Sequence, residues 1–388
     1  VKNKSDQDFQ QLFFNLVPVG GMEIISSEPQ MENFKISLPL KGLEEKNIEI
    51  QAKIKGQGGE GKKIIANLII PVRGNEIIVF QRERNISLIK KPLDLQIFTD
   101  NQNLDLNQRV NYTISYSNNS QLTLRSIIIT ADVSDPWFDL STLTIENGGY
   151  LTPANKIIWN AGKNKDLAQA DINEKGSVSF SVKIKKDFNN QKNNIVKVIS
   201  SIDSTEIVPN LTGKIYNEAS LENKIRGKLT ITPSIYFKDP NNLFQNSGNY
   251  PPKVNQLNQY SLYLDIEASG NDFKNINLKT VFPGNVIFAG QIKGDTKDIN
   301  LVYNPRTNEL EITIPEVAAF SKKTLVFQIE FTPSQDMIGK PGLLLETIDI
   351  KAQDSFTLEN LNYTLNNSID TNKLSDKNLP SHDGRITY

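Results

Sequence analysis

Apolar and polar residues alternate with a period of two along several long stretches of this chain, and this pattern limits the fold more than any other feature. In one stretch, Val110, Tyr112, Ile114 and Tyr116 are separated by polar residues. Successive side chains of a β-strand point to opposite faces of the sheet, so the pattern predicts a strand with one buried face and one wet face. Half-buried strands of this kind are typical of antiparallel sheets.

The same alternation recurs in three other segments, at residues 178–184, 260–266 and 325–331. Turn-forming runs such as Asn147-Gly148-Gly149 and Asn246-Ser247-Gly248 separate the alternating segments. No amphipathic helix longer than about three turns is apparent in the sequence. We therefore predict an all-β fold built of tandem antiparallel β-sandwiches.

A short apolar strand, a polar link and an alternating strand occur three times in the same order, which indicates serial domains. A chain of 388 residues has room for two or three domains. The alternation breaks near Lys90-Lys91-Pro92 and near Asn223-Lys224. The predicted domains are therefore 1–90, 91–223 and 224–374, and residues 375–388 are predicted to form a solvated tail.

The first domain is expected to be incomplete. The second domain opens with two strands, Leu93–Thr99 and Arg109–Tyr116, and the third opens with Leu229–Phe237 and Tyr260–Ile266. The first apolar strand of the first domain, at residues 12–16, corresponds by position to the strand that follows these pairs. We therefore expect its first two strands to be missing, with two alternatives for what covers their place: a segment upstream of this chain, or strands donated by a neighbouring subunit. We expect the chain to oligomerise or to need a partner through this domain.

Composition excludes several classes of function. The chain has no cysteine and a single histidine, His382, which excludes thiol nucleophiles, disulfides, zinc fingers and histidine dyads. The net charge of −1 argues against nucleic-acid binding. No run approaches the roughly 18 apolar residues of a membrane span, and we expect any targeting segment or anchor to lie upstream of Val1. We predict no enzymatic activity, no catalytic residue and no cofactor.

One segment has the glycine and lysine spacing of a phosphate-binding loop, from Gly56 to Lys63. However, Lys63 stands where the magnesium-binding Ser or Thr should be. The residues that follow also read as a strand rather than as a helix. We interpret the segment as the tip of a hairpin.

Two groups of acidic residues are candidate calcium ligands. Their members are Asp132, Asp135 and Asp139 in one group, and Asp239, Asp272, Asp295 and Asp298 in the other. Neither spacing is that of a helix-loop-helix calcium site, and aspartates are common in turns because their side chains cap local amides. We predict no metal site, and calcium between domains stays open as the alternative.

Aromatic residues offer a second binding hypothesis, because Trp137 and Trp159 are of the type that stacks on sugar rings. Trp159 ends an apolar strand and is predicted to be a core residue, and Trp137 is predicted to pack against the end of the sandwich. An isopeptide bond between Lys and Asn side chains stays open as well, although no residue triad is singled out.

The residues from Arg109 to Ile129 contain a Tyr-x-Ile-x-Tyr-x-Asn strand, a polar turn and an apolar strand. This order resembles the start of the prokaryotic "conserved repeat" Ig-like domain of bacterial and archaeal surface proteins. Residues 246–254, 303–312 and 327–334 look like multi-repeat envelope proteins of small-genome bacteria. The resemblance runs from about Leu16 to Leu374, and its motifs mark strands and turns. It implies Ig-like sandwiches and an extracellular place on a bacterial cell surface.

These observations favour a non-enzymatic structural or spacer component of a bacterial cell surface. Its expected partners are proteins of the cell envelope or neighbouring copies of itself. The alternative is an adhesin or a carbohydrate-binding module that uses loops at the sandwich ends, such as 133–141 or 239–252.

Overall fold

The computed structural model describes residues 1–56, 60–88, 91–206, 214–379 and 383–388. Nearly all strand pairing in this part of the chain is antiparallel. The described strands pair within three consecutive stretches, 1–88, 91–225 and 228–388, and none pairs between them. We call these stretches the first, second and third domains.

Each domain contains two sheets, together with small additional pairings. The strands of the first domain are β1 (Phe13–Val17), β2 (Met22–Glu28), β3 (Lys35–Ser37), β4 (Glu49–Ile54), β5 (Gly61–Val72) and β6 (Asn75–Ser87). The strands of the second domain are β7 (Leu93–Thr99), β8 (Asn103–Leu104), β9 (Arg109–Asn118), β10 (Leu124–Arg125), β11 (Ile128–Asp132), β12 (Phe138–Ile145), β13 (Tyr150–Leu151), β14 (Lys156–Asn160), β15 (Gln169–Ala170), β16 (Lys175–Ile184), β17 (Ile195–Ser204) and β18 (Ile215–Ile225), with a 3-10 turn at Lys165–Leu167. The strands of the third domain are β19 (Lys228–Tyr236), β20 (Asn258–Ser269), β21 (Phe273–Val281), β22 (Val286–Gly294), β23 (Asn300–Asn304), β24 (Glu309–Val317), β25 (Lys322–Phe331), β26 (Leu343–Asp354) and β27 (Asn360–Asp370), with a 3-10 turn at Gln335–Met337.

The alternating segments form the central strands of the second and third domains, as their pattern predicts. All four apolar residues of the alternation in β9 are buried, and so are those of β16. Their side chains meet those of the opposite sheet in one hydrophobic cluster, in which the ring of Tyr112 stacks on Phe180 with centroids 5.0 Å apart. The predicted all-β fold of antiparallel sandwiches is therefore confirmed.

The third domain buries both faces of its central strands over part of their length. Ser261 and Tyr263, on the face of β20 opposite the main core, are buried as well. Tyr263 packs with Phe244 and Val326 in a small separate cluster, because the connection between β19 and β20 folds back over this face. The alternation of apolar and polar residues predicts one buried face for β20, so it does not predict that the opposite face is covered as well.

The three domains share one strand order. One sheet contains β3-β1-β5-β6 in the first domain, β14-β11-β17-β18 in the second and β24-β21-β26-β27 in the third. The opposite sheet has four strands in the second and third domains, β12-β16-β9-β7 and β22-β25-β20-β19, but only β2 and β4 among the described residues of the first domain. The places of β7 and β9, or of β19 and β20, have no counterpart there. The expected lack of the first two strands is confirmed.

The first domain consequently has a small core. Its buried apolar residues are Leu12, Leu16, Ile36, Leu38, Leu40 and Ile69. The alternation at residues 48–54 forms β4 as predicted, but none of its side chains is buried. The pattern alone therefore predicts the strand correctly and its burial wrongly, since burial also needs a facing layer.

Two predicted boundaries differ from the structure. β18 runs to Ile225, so the second domain ends two residues beyond the predicted break at 223/224. The described residues of the predicted tail are not a free solvated segment, because Ile386 is buried and Thr387 pairs with Lys253. The carboxylate of Asp376 also accepts the backbone N–H of Phe237 at 2.8 Å. The polar composition of this segment predicts a solvated tail. It does not reveal these contacts, because they are made by backbone groups and by few apolar side chains.

Replacement of Phe180 by alanine is expected to destabilise the second domain by about 3–5 kcal/mol, because it empties an aromatic site in the core. Both tryptophans of the chain lie in this domain, so urea unfolding followed by tryptophan fluorescence measures the loss directly. The matched control is Phe98→Ala, since Phe98 is 51% exposed on an edge strand of the same domain. A loss below about 1 kcal/mol for Phe180→Ala would contradict the packing described here.

Candidate functional site at the junction of the second and third domains

An aromatic contact forms one side of the junction. Phe188, which follows β16 in the second domain, is buried, and its ring meets the edge of Phe320 from the third domain with centroids 6.4 Å apart. Gly270 lies directly against Phe188, where a Cβ atom would come within 2.3 Å of the ring. The φ of Gly270 is +80°, in the left-handed region that glycine tolerates best. This position therefore needs glycine for both space and backbone conformation.

A buried asparagine connects the two domains through backbone groups. Asn271, fully buried in the third domain, donates from Nδ2 to the carbonyl oxygen of Ile225 at 2.9 Å and to Asp354 at 2.8 Å. Its Oδ1 accepts the backbone N–H of Asn193 at 3.2 Å. Asp354 also accepts the N–H of Gly227, at 2.8 Å. Since a buried polar group is costly when unpaired, these mutual bonds favour one relative position of the two strands that they join.

Arg226 lies between β18 and β19 and binds acidic residues on both sides of the junction. Its Nε and Nη2 donate to the two carboxylate oxygens of Glu359, at 2.5 and 2.9 Å, in a bidentate pair. Its Nη1 donates to Asp105 of the second domain at 3.2 Å. The guanidinium lowers the pKa of Glu359, and hydrogen bonding to that carboxylate raises the pKa of Arg226. Both charged forms are thus stabilised at neutral pH.

Two lysines of the second domain complete the junction. Lys192 forms an ion pair with Asp272 at 3.1 Å. The pKa of Asp272 is lowered mainly by a hydrogen bond from the backbone N–H of Ala319. The hydrogen bond and the positive charge of Lys192 lower it further. Lys224 donates to the carbonyl oxygen of Phe356 at 2.8 Å, and its ammonium lies 4.7 Å from the centre of the same ring. The junction therefore combines aromatic packing, buried hydrogen bonds and ion pairs between the two domains.

The strands that flank the glycine-rich segment of the first domain do not pair with each other, as the two arms of a hairpin would. Residues 57–59 lie outside the described residues, but β4 and β5 on either side of them belong to different sheets. Lys62 donates to the carbonyl oxygen of Gly20 at 2.6 Å, and Lys63 pairs with Glu83 at 2.9 Å. Both lysines lie on a strand and have partners of their own. His382 and Lys90 are also outside the described residues.

The first group of candidate calcium ligands caps the turns of its own loop. Asp132 accepts the N–H of Ser134 at 2.9 Å, and Asp139 accepts that of Ser141 at 3.2 Å. Asp135 accepts the N–H of Trp137, and its second oxygen accepts the N–H of Lys197, each at 2.9 Å. The local turn interpretation explains all three carboxylates.

The second group of acids is dispersed. Asp239 is buried and accepts the hydroxyls of Tyr263 at 2.7 Å and Ser261 at 2.8 Å. Asp272 belongs to the junction, Asp295 accepts the N–H of Thr324 at 2.8 Å, and Asp298 occupies a left-handed turn position. In the described part of the chain, no group of three or more acidic or histidine side chains is arranged to hold a metal ion. The same residues include no helix that is long and apolar enough to cross a membrane.

Both tryptophans are core residues. Trp159 has no exposed surface, and its indole N–H donates to the carbonyl oxygen of Glu146 at 2.8 Å. Trp137 is 6% exposed. Neither ring offers a face on which a sugar could stack, so the hypothesis of a tryptophan-based carbohydrate site is wrong.

Of the junction residues, sequence reasoning singled out Asp272 as a candidate calcium ligand and Lys224 at a predicted domain break, and it missed the others. Arg226 and Gly227 form the short break between two alternating strands, and this break is the one signal that could have found them. Asn271 and Asp354 carry no such signal, because a buried asparagine looks like any of the many turn asparagines until its neighbours are known.

No protein-family profile matches the chain, and no curated protein matches it. Similar solved structures include the C-terminal domain of the antigen I/II-family protein AspA from Streptococcus pyogenes, with 13% identity, coverage of 72% of this chain and 99% of that chain, and a TM-score of 0.30. They also include the full-length major pilin SpaD from Corynebacterium diphtheriae, with 11% identity, coverage of 64% and 61%, and a TM-score of 0.27. The collagen adhesin CNA from S. aureus has 10% identity, coverage of 72% and 94%, and a TM-score of 0.20. At these scores, the matches add nothing to the fold that the strand pairing already defines.

The pair of Arg226 with Glu359 is expected to make the junction weaken in acid. The pKa of Glu359 in the folded protein lies below its ordinary value of 4.5. Its contribution to stability is therefore present above pH 4.5 and is lost as the pH falls through the lowered pKa. Because the pair is partly exposed, we expect Glu359→Gln to cost at most about 1 kcal/mol at pH 7. Calorimetry should show this cost as a fall in Tm of about 2–4 °C, which becomes smaller as the pH falls below 4.5.

The matched control is Glu222→Gln, because Glu222 forms an exposed ion pair with Lys197 outside the junction. This variant should change Tm little at either pH. A Tm difference between Glu359→Gln and the unchanged protein that is the same at pH 7 and pH 3 would contradict the assigned role of the Glu359 charge.

Proposed function

We propose that this protein is a non-enzymatic structural or spacer component of a bacterial cell surface, built of tandem Ig-like domains that make protein–protein contacts. The observation that carries the proposal is the junction of the second and third domains. There, the buried side chain of Asn271 in the third domain binds backbone groups of Asn193 and Ile225 in the second. A domain pair held in this way keeps a constant distance between its two ends, as a spacer must.

The second and third domains make more contacts with each other than two domains joined by a flexible linker would need. Relative motion between domains is the default expectation unless their interface holds them. Separating the domains here would break the two hydrogen bonds that Asn271 makes with Ile225 and Asn193 and would expose Phe188. It would also break the bidentate pair of Arg226 with Glu359. Each of these changes opposes bending at the junction.

Two further observations support a non-enzymatic role on the cell surface. The carboxylates singled out as candidate ligands are engaged in turns or in the junction, and the chain has no cysteine and one histidine. The surface location rests on the resemblance of the residues from Arg109 to Ile129, and of the third domain, to conserved-repeat envelope domains. We propose a division into three domains, with the second break at Arg226-Gly227 rather than at 223/224.

A spacer should hold its second and third domains at one distance. Because the chain has no cysteine, the replacements Ala154→Cys and Thr307→Cys introduce one labelling site in each domain, both at exposed turn positions. Electron spin resonance between two spin labels should give a single narrow distance distribution. The double variant Arg226→Ala/Asn271→Ala should broaden it, whereas Arg125→Ala, an exposed arginine outside the junction, should not. A broad distribution in the otherwise unchanged chain would contradict the spacer function.

The proposed location predicts that the protein is accessible from outside the cell. Antibodies raised against residues 228–388 should label intact cells of the source organism. Labelling that appears only after the cells are permeabilised would contradict the surface location, whatever the rigidity of the junction.

A further inference from the structure

The first and last strands of the second domain lie in opposite sheets and pack against each other. β7 opens the domain at Leu93, and β18 closes it at Ile225. Asn217, in the first part of β18, bonds to Leu93, and Asn223, near the end of β18, bonds to Asn101, which follows β7. The contacts advance along both strands together, so β7 and β18 run in the same direction.

Asn217 connects β18 to the start of β7. Its side chain is buried, and its Nδ2 donates to the carbonyl oxygen of Leu93 at 3.0 Å. Its Oδ1 accepts the backbone N–H of Glu218 at 2.9 Å, and it also accepts a hydrogen bond from the ammonium of Lys91, which precedes β7. This one amide therefore holds the segment that enters the domain against the last strand.

Asn223 makes the second connection, beyond the end of β7. Its buried Nδ2 donates to the carbonyl oxygens of Asn101 at 2.9 Å and Gln102 at 3.2 Å. Its Oδ1 accepts the hydroxyl of Tyr112 at 3.1 Å. Directly after Asn223, the last two residues of β18 pair in parallel with β8. We call the hydrogen bonds from Asn217 and Asn223 to the segment 93–102 the strand bridges.

The third domain has the same arrangement with different side chains. The hydroxyl of Tyr363 on β27 donates to the carbonyl oxygen of Leu229, near the start of β19, at 3.2 Å. Beyond the ends of both strands, the carboxylate of Asp376 accepts the backbone N–H groups of Phe237 and Lys238, each at 2.8 Å. The first and last strands of this domain therefore also run in the same direction, and side chains connect them near both ends.

This geometry decides how the second domain responds to tension along the chain. Tension pulls β7 towards its N-terminus and β18 towards its C-terminus, because the chain enters through the one and leaves through the other. Since the two strands run in the same direction, they must slide past each other before the domain opens. The strand bridges cross between them, so sliding loads all of these hydrogen bonds at once. The pairing of β7 with β9 is loaded in the same way along its whole length.

We propose that the second domain carries tension along the chain and that the strand bridges of Asn217 and Asn223 are the contacts that resist it. The inference rests on the proposed spacer function, because a spacer under load keeps its length only while its domains stay folded. Both asparagines are buried, where a hydrogen bond is stronger than in water. The load passes on to the third domain through Arg226 and Gly227, which the junction holds.

A purely structural role for the buried asparagines makes a different prediction. Asn118 of the same domain is also fully buried, and its Nδ2 donates to the carbonyl oxygens of Leu122 at 2.7 Å and Ala170 at 2.8 Å. These bonds join two turns and do not connect β7 with β18. If buried asparagines only add to the equilibrium stability, loss of Asn118 and loss of Asn217 should have the same effect under tension.

The test measures unfolding of single molecules of the full chain at constant force. Because the chain has no cysteine, Val1→Cys and Tyr388→Cys, both at exposed positions, attach one handle to each end. The second domain is recognised by its gain in length, which is about 45 nm for residues 91–225, against about 30 nm for 1–88 and about 55 nm for 228–388.

The double variant Asn217→Ala/Asn223→Ala should unfold the second domain about tenfold or more faster than the unchanged chain at the same force, because several buried hydrogen bonds that resist sliding are lost. Asn217→Ala alone should accelerate this step more than its matched control, Asn118→Ala. Urea unfolding of the same variants without load shows how much stability each has lost, so that the two effects are compared at known stability.

The direction of the load provides a second test that needs no change in the strand bridges. Handles at Gln121→Cys and Ile172→Cys, two exposed loop positions at one end of the domain, pull β10 away from β15 and then β11 away from β14. These pairs open one bond after another, and β7 and β18 are not in the path of the load. At equal force, the unchanged domain should open faster with these handles than with handles at the chain ends.

Two results would overturn the proposal. One is equal opening rates for the two handle pairs in the unchanged chain. The other is acceleration by Asn118→Ala that equals the acceleration by Asn217→Ala under end-to-end load. Both results leave the distance between the spin labels in the unloaded chain untouched, so the resistance to tension can fail while the spacer function stands. A broad distance distribution, in contrast, contradicts the spacer function itself.

Discussion

A β-sheet with one apolar face is stable in water only when a second layer covers that face, and the structure of all three domains depends on this requirement. In the second and third domains, eight strands arranged as two four-stranded layers meet it, with a few short strands added at the edges. The same sheet order in the first domain meets a layer of two strands. How completely each face is covered explains why β9 and β16 are buried. It also explains why β4 and the apolar run of β6 are exposed.

Asparagine has two separate roles in this fold. Most of the non-glycine residues with positive φ are asparagines, which tolerate the left-handed conformation that the tight turns between strands require. A smaller number are buried and bind backbone groups, as Asn271 does at the junction and Asn118 does beside β15. Turns and buried bridges therefore explain part of the asparagine content of the chain.

Alternation and turn chemistry were sufficient to predict the fold class, the central strands of the complete domains and the lack of two strands in the first. The candidate site could not be predicted in the same way. Arg226 is more than 120 residues away along the chain from each of its partners, Glu359 and Asp105. The tail was misjudged for a similar reason, because its contacts depend on one buried isoleucine and on backbone pairing with a distant loop.

The sequence by itself determined which residues lie in strands, which face of each strand is apolar and how the strands repeat, because a period of two is a local property of the extended backbone. The tertiary structure alone decided which of those faces are covered, how Asn271 and Arg226 join two domains, and where the first domain stays open. These outcomes depend on which sheet lies opposite which, and that depends on contacts between residues far apart in the chain.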